Sequence, residues 1–224
     1  MTGDIMKKQL PIMFLIILLL VSCQSKENNF ISEGDREEAH NLHIEIPNQE
    51  PLYVSIDKIP ILTSYLEQFE DKKTEINNIR SRYLYTNNQK DYILVNYSCG
   101  TKLCNQLLLE EKEGNIQSIQ VSESSFLQDS KYNHDYLAFL FGRNEGSEVV
   151  RNQVVIINLK DFKKISPPED LQLIESFEYP IPMIDWKDGL LIATIADIDD
   201  TSYEGVKEWY TNNKDLIQLK WKLH

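Results

Sequence analysis

Three times along the chain a short apolar run opened by aspartate is followed, after a polar loop, by a second apolar run. The openers are Asp91-Tyr-Ile-Leu-Val, Asp135-Tyr-Leu-Ala-Phe and Asp188-Gly-Leu-Leu-Ile. The second runs are Asn105-Gln-Leu-Leu-Leu, Asn152-Gln-Val-Val-Ile and Asp215-Leu-Ile-Gln-Leu. Openers fall 44 and 53 residues apart, and second runs 47 and 63 apart. Runs this short are too brief for helices of ordinary length, and the Gly, Asn, Asp and Ser clusters between them are turn residues, so the pairs read as β-hairpins. Strands are expected at 82–85, 92–97, 106–110, 116–121, 136–141, 153–159, 190–195 and 216–221. One short helix is expected from Thr63 to Lys73, where Ser64 and Glu67 have capping-box spacing and Leu62, Leu66 and Phe69 share a face. The chain is thus expected to be mostly β, built of antiparallel hairpin repeats, with Trp186 and Trp221 as aromatic core candidates.

The spacing of the units suits one propeller blade each. The middle unit, DSKYNHDYLAFLFGRNEGSEVVRNQVVIINLKDFKKI, resembles a blade of the many β-propeller proteins in which a polar turn leads into a Tyr-Leu-Ala strand and a variable hairpin. The resemblance implies a β-propeller-like fold. Only three units are clear, whereas closed propellers have at least four blades, so a β-sandwich assembled from hairpins is the alternative.

The N-terminus has a different character. From Met6 it reads MKKQLPIMFLIILLLVSC: two lysines, ten consecutive apolar residues from Ile12 to Val21, then Ser22 and Cys23. That is the layout of a secretory signal, and the apolar run is about half the length a membrane-spanning helix needs. Asp4 is out of place in a positively charged leader, which makes Met6 an alternative start. The Leu-Val-Ser-Cys sequence resembles the lipobox of bacterial lipoproteins. The resemblance implies diacylglyceryl attachment to the Cys23 thiol, cleavage before it and a signal peptide spanning residues 1–22. Two acyl chains suffice for stable anchoring where one is marginal. Gln24 after the cysteine and the many Ile, Lys and Asn residues point to the extracytoplasmic face of a bacterial cell membrane, as in Gram-positive organisms. Residues 23–50, rich in Gln, Asn, Glu and Ser, are expected to form a lipidated flexible tether, and 51–224 a single β-rich domain.

The net charge of −12 becomes −13 once residues 1–22, with Lys7, Lys8 and Asp4, are removed. So acidic a chain argues against nucleic-acid partners, which are held by counterion release. With Cys23 lipidated, Cys99 and Cys104 remain. They flank a four-residue connection between apolar runs in an exported protein, so a disulfide between them is expected.

No G-x-S-x-G elbow, H-E-x-x-H motif or phosphate-binding glycine loop is present. His40 and His43 lie in the tether without a third ligand, and His134 falls in the polar turn Asn133-His134-Asp135. The acidic stretch Asp197-Ile-Asp199-Asp200-Thr-Ser-Tyr-Glu204 is the one candidate metal site, with calcium as the only cofactor it admits. A solvated polar loop is the plainer reading. Tyr203, Trp209 and Tyr210, in the same connection, are candidates for an exposed contact surface. Two function classes follow. The first is a non-enzymatic lipoprotein that binds a protein, peptide or envelope component. The second is a carbohydrate-active or other hydrolase using paired carboxylates, although no pair is singled out.

Overall fold

The computed structural model describes residues 40–212 and 214–223. The signal segment and the lipobox at Cys23 lie outside the described residues. No helix among the described residues is long and apolar enough to cross a membrane.

Strands β1 (Asn41–Ile44) and β2 (Leu52–Ser55) pair antiparallel. Helices α1 (Pro60–Leu66) and α2 (Lys72–Asn78) follow. Then comes a seven-stranded antiparallel meander in sequence order: β3 (Arg80–Asn87), β4 (Lys90–Tyr97), β5 (Cys104–Lys112), β6 (Asn115–Asn133), β7 (Tyr136–Glu145), β8 (Val149–Asn158) and β9 (Lys163–Ile165). A three-stranded antiparallel sheet closes the chain: β10 (Met183–Lys187), β11 (Leu190–Ala196) and β12 (Leu216–Lys222), with α3 (Tyr203–Thr211) between the last two. The protein is therefore mostly β and antiparallel. Among the described residues no sheet closes on itself.

The expected strands fall within β3 to β8, β11 and β12, and the repeated runs are neighbours in their sheets: β4 with β5, β7 with β8, β11 with β12. Several hairpins turn in two residues that both have positive φ, as at Asn88-Gln89 (51° and 61°), Glu113-Gly114 (51° and 82°) and Asp188-Gly189 (53° and 75°). That backbone matches the right-handed twist of the flanking strands. His134, with φ of 45°, lies in the β6–β7 turn as its one residue of positive φ.

β6 is the hinge of the architecture. Its first half pairs with β5 as far as Ser125, and its second half pairs with β7 from Phe126 onward. Ladder irregularities flank this handover, and bulges bend a strand. The two halves of the seven-stranded sheet thereby face one another. Tyr92, Leu94 and Leu108 from the first half pack against Leu137, Phe139 and Phe141 from the second. The first half turns Ile93, Val95, Leu107 and Leu109 toward Ile44, Val54, Ile56 and Leu62. The second half turns Ala138, Leu140, Val154 and Ile156 toward Ile184, Leu191, Ala193 and Ile195 of the third sheet. Both faces of both halves are covered, which is why Tyr-Ile-Leu-Val and Leu-Ala-Phe-Leu-Phe are continuous apolar runs rather than alternating ones.

Two expectations are corrected. The stretch assigned to the tether contains β1, whose Leu42 and Ile44 are buried in the first core cluster, so the ordered domain includes residues from Asn41 onward rather than starting at 51. Apolar residues at alternate positions of a short strand suffice for that burial despite polar surroundings. The single helix at 63–73 is instead two. Ser64 lies inside α1, whose first turn is set by Pro60 with its fixed φ, while α2 is capped by Asp71, which accepts from the Thr74 N–H at 3.1 Å.

Candidate functional site

The handover in β6 leaves backbone groups without ladder partners, and a buried polar cluster satisfies them. Gln106 donates to the Ser125 carbonyl at 2.7 Å and accepts from the Ser125 hydroxyl at 2.6 Å. The Ser125 hydroxyl lies 2.7 Å from that of Ser122, which donates to Gln153 at 3.2 Å. Asn152, also buried, donates to Gln128 at 2.7 Å and accepts from the Ile181 N–H at 2.8 Å, tying the third sheet's approach segment to β8. Buried polar groups left unpaired are costly, so this network fixes the local geometry.

Arg143 of β7 extends the network to the surface. It donates to the carbonyls of Ser124 and Glu123, at 3.1 and 2.9 Å, and its guanidinium carbon stands 4.1 Å from the centroid of the Phe177 ring. Arg151 of β8 donates to Glu145 at 2.6 Å and to the Glu178 carbonyl. Its side chain is only 13% exposed, against 45% for that of Glu145. Both arginines line one open cavity of about 460 Å³, together with Asn144, Glu145, Phe177, Glu178 and Thr201. A second open cavity of about 500 Å³, beside His43, Arg80 and Arg82, opens where β1 meets β3.

The sequence candidates are distributed differently. Asp197, Asp199, Asp200 and Glu204 are exposed, and among the described residues no group of three or more His, Cys, Asp or Glu side chains is arranged to hold a metal ion. Asp200 accepts from the N–H and hydroxyl of Ser202 at 2.9 and 3.0 Å, and these bonds hold its carboxyl below the usual carboxylate range. Ser202 in turn caps α3 by accepting from the Gly205 N–H at 3.2 Å. Gly205 is required there, since an added Cβ would lie 2.4 Å from the Asp200 carbonyl oxygen.

Of the aromatic trio, Trp209 is corrected. The connection forms α3, and Trp209 is 4% exposed with its indole N–H donating to the Asp215 carbonyl at 2.9 Å. Tyr210 is half-buried and donates to the Val150 carbonyl at 2.8 Å; burial pushes its hydroxyl pKa up. Tyr203, also half-buried, approaches Gly146 in the β7–β8 loop. Val206, Trp209 and Tyr210 recur at helical spacing, so they dock the helix rather than offer themselves to a partner. His43 lies in β1 with its ring 5.2 Å from that of Tyr53. Cys99 and Cys104 are at disulfide distance, with Cα atoms 4.0 Å apart across the β4–β5 connection.

Arg143, Arg151 and Phe177 were not legible as site residues. The available signal was the three-residue turn Gly146-Ser147-Glu148, from which counting outward along the hairpin sets one arginine opposite the other. No protein-family model matches the chain, and neither a curated protein nor a solved structure matches it.

Proposed function

We propose that the protein is a bacterial lipoprotein, anchored through Cys23 on the extracytoplasmic face of the cell membrane. Its β domain is a non-enzymatic binding module of propeller-like construction. The observation that carries the anchor is Leu-Val-Ser-Cys at the end of a ten-residue apolar run preceded by two lysines. The first described strand begins at Asn41, and the 18 residues from Cys23 to it can reach at most about 60 Å when fully extended. Lipid and fold therefore need not compete for the same stretch of chain. What supports the propeller-like reading is the stacking of β3–β6, β6–β9 and β10–β12, each an antiparallel unit with a face buried against the next. What supports binding is an open cavity held by arginines whose positions are set from beneath by backbone carbonyls.

The test is intact-mass spectrometry of the chain extracted from bacterial membranes, wild type against Cys23→Ala. A diacylglyceryl adduct on a chain beginning at Cys23, absent from the variant, is expected. An unmodified full-length chain overturns the anchor.

A further inference from the structure

We propose that Arg143 and Arg151 together form a binding site for an oxyanion, the carboxylate or phosphate group of a ligand. The proposal deepens the binding-module reading and rests on it. In the β7–β8 ladder these two residues are direct cross-strand partners. Side chains at such positions stand on one face with Cβ atoms about 5 Å apart, and like charges there are destabilising. Here both charges also line the same cavity.

Each guanidinium is pinned in place. Arg143 is fixed by two carbonyls and the Phe177 ring, Arg151 by the Glu178 carbonyl and the Glu145 carboxylate. Among the described residues Nη1 of Arg143 and Nη2 of Arg151 have no hydrogen-bond partner. Two glutamates also line the cavity: Glu145 pairs with Arg151 through its carboxylate, whereas Glu178 contacts Arg151 through its backbone carbonyl, and among the described residues Arg143 is held by carbonyls and a ring rather than by a carboxylate. Forked N–H donors held in advance match the two oxygens of a carboxylate or phosphate, and fixing them beforehand lowers the entropic cost of binding. Asn144 and Thr201 supply further polar groups on the cavity wall, and the Phe177 ring supplies an apolar one.

The full-length chain in detergent is titrated calorimetrically with inorganic phosphate and, separately, with glutarate, at constant ionic strength. Saturable binding is expected for at least one anion. Phosphate alone identifies a phosphoryl ligand, glutarate alone a carboxylate, and both a general oxyanion site. Arg143→Gln is expected to weaken binding at least about tenfold. Lys207→Gln, whose exposed partner is Glu148, is expected to leave binding unchanged. Should Arg143→Gln fail to melt cooperatively, Arg143→Lys keeps the charge and loses the fork, and it too is expected to bind more weakly. No saturable heat with either anion, or equal affinity in wild type and folded variants, overturns the site. A lipidated chain that binds neither anion keeps the anchor and loses this assignment; an unlipidated chain that binds does the reverse.

Discussion

The phenol oxygen of Tyr85 is buried without a hydrogen-bond partner among the described residues. Its ring stacks on Tyr92, centroids 5.0 Å apart, and leans on Tyr132 at 4.4 Å. Tyr92 differs in having a partner: it donates at 3.0 Å to Glu110, a buried carboxylate that also takes a 2.9 Å ion pair from Lys90. Burial raises both phenol pKa values, and the nearby Glu110 carboxylate adds to the effect. The sign follows from linkage. A group that holds its proton more tightly when folded contributes fully below its ordinary pKa of 10.0 and loses that contribution as pH rises beyond it. Stability should therefore fall above about pH 10. Tyr85→Phe removes an unpaired hydroxyl while keeping the stacked ring, so at neutral pH it should leave stability unchanged or raise it by up to ~1 kcal/mol. Urea midpoints measured across the alkaline range check both: the variant should hold its midpoint to higher pH than wild type, and equal decline in the two proteins would contradict the assignment.

At the scale of elements, Trp209 is the largest of the side chains that dock α3. Trp209 is buried and hydrogen-bonded to the backbone entering β12, so Trp209→Ala should cost about 3–5 kcal/mol. Lys207→Ala breaks only the exposed pair with Glu148 and should stay within about 1 kcal/mol. Denaturant midpoints of the two variants compare them directly. The Cys99–Cys104 pair closes a loop of only a few residues, and a crosslink that short restricts the unfolded chain by about 2 kcal/mol; reduction should lower the midpoint by no more than that. The strands of the three repeats were legible because turn residues bracket each run. α3 was not, although Val206, Trp209 and Tyr210 carry a helical period, because Asp and Ser before them and Asn after them read as loop. The double role of β6 was invisible for a physical reason: from Asn115 to Asn133 apolar residues such as Ile116, Ile119, Val121, Phe126 and Leu127 are interspersed with polar ones along both halves, and nothing local says where its partner changes. The arginine pair demanded more still, since only the exact hairpin register sets residue 143 opposite residue 151, and a shift by one residue would send one of the two to the other face.

For the whole domain, the layering decides how it comes apart. The two inner sheet halves are covered on both faces, and β6 belongs to both, so neither half can open without exposing apolar surface on the other. Phe139 sits in the middle layer with its ring 5.4 Å from that of Phe141, packed between strands of the two halves. Were the halves separate folding units, truncating it would weaken one and leave the other melting at its own temperature. Because they share a strand and a core, Phe139→Ala should instead lower a single transition by about 3–5 kcal/mol. Scanning calorimetry reads the difference: agreement between calorimetric and van't Hoff enthalpies in wild type and variant marks one cooperative unit, whereas a second, unshifted transition in the variant would show that the sheet halves fold independently and that β6 couples them in geometry alone.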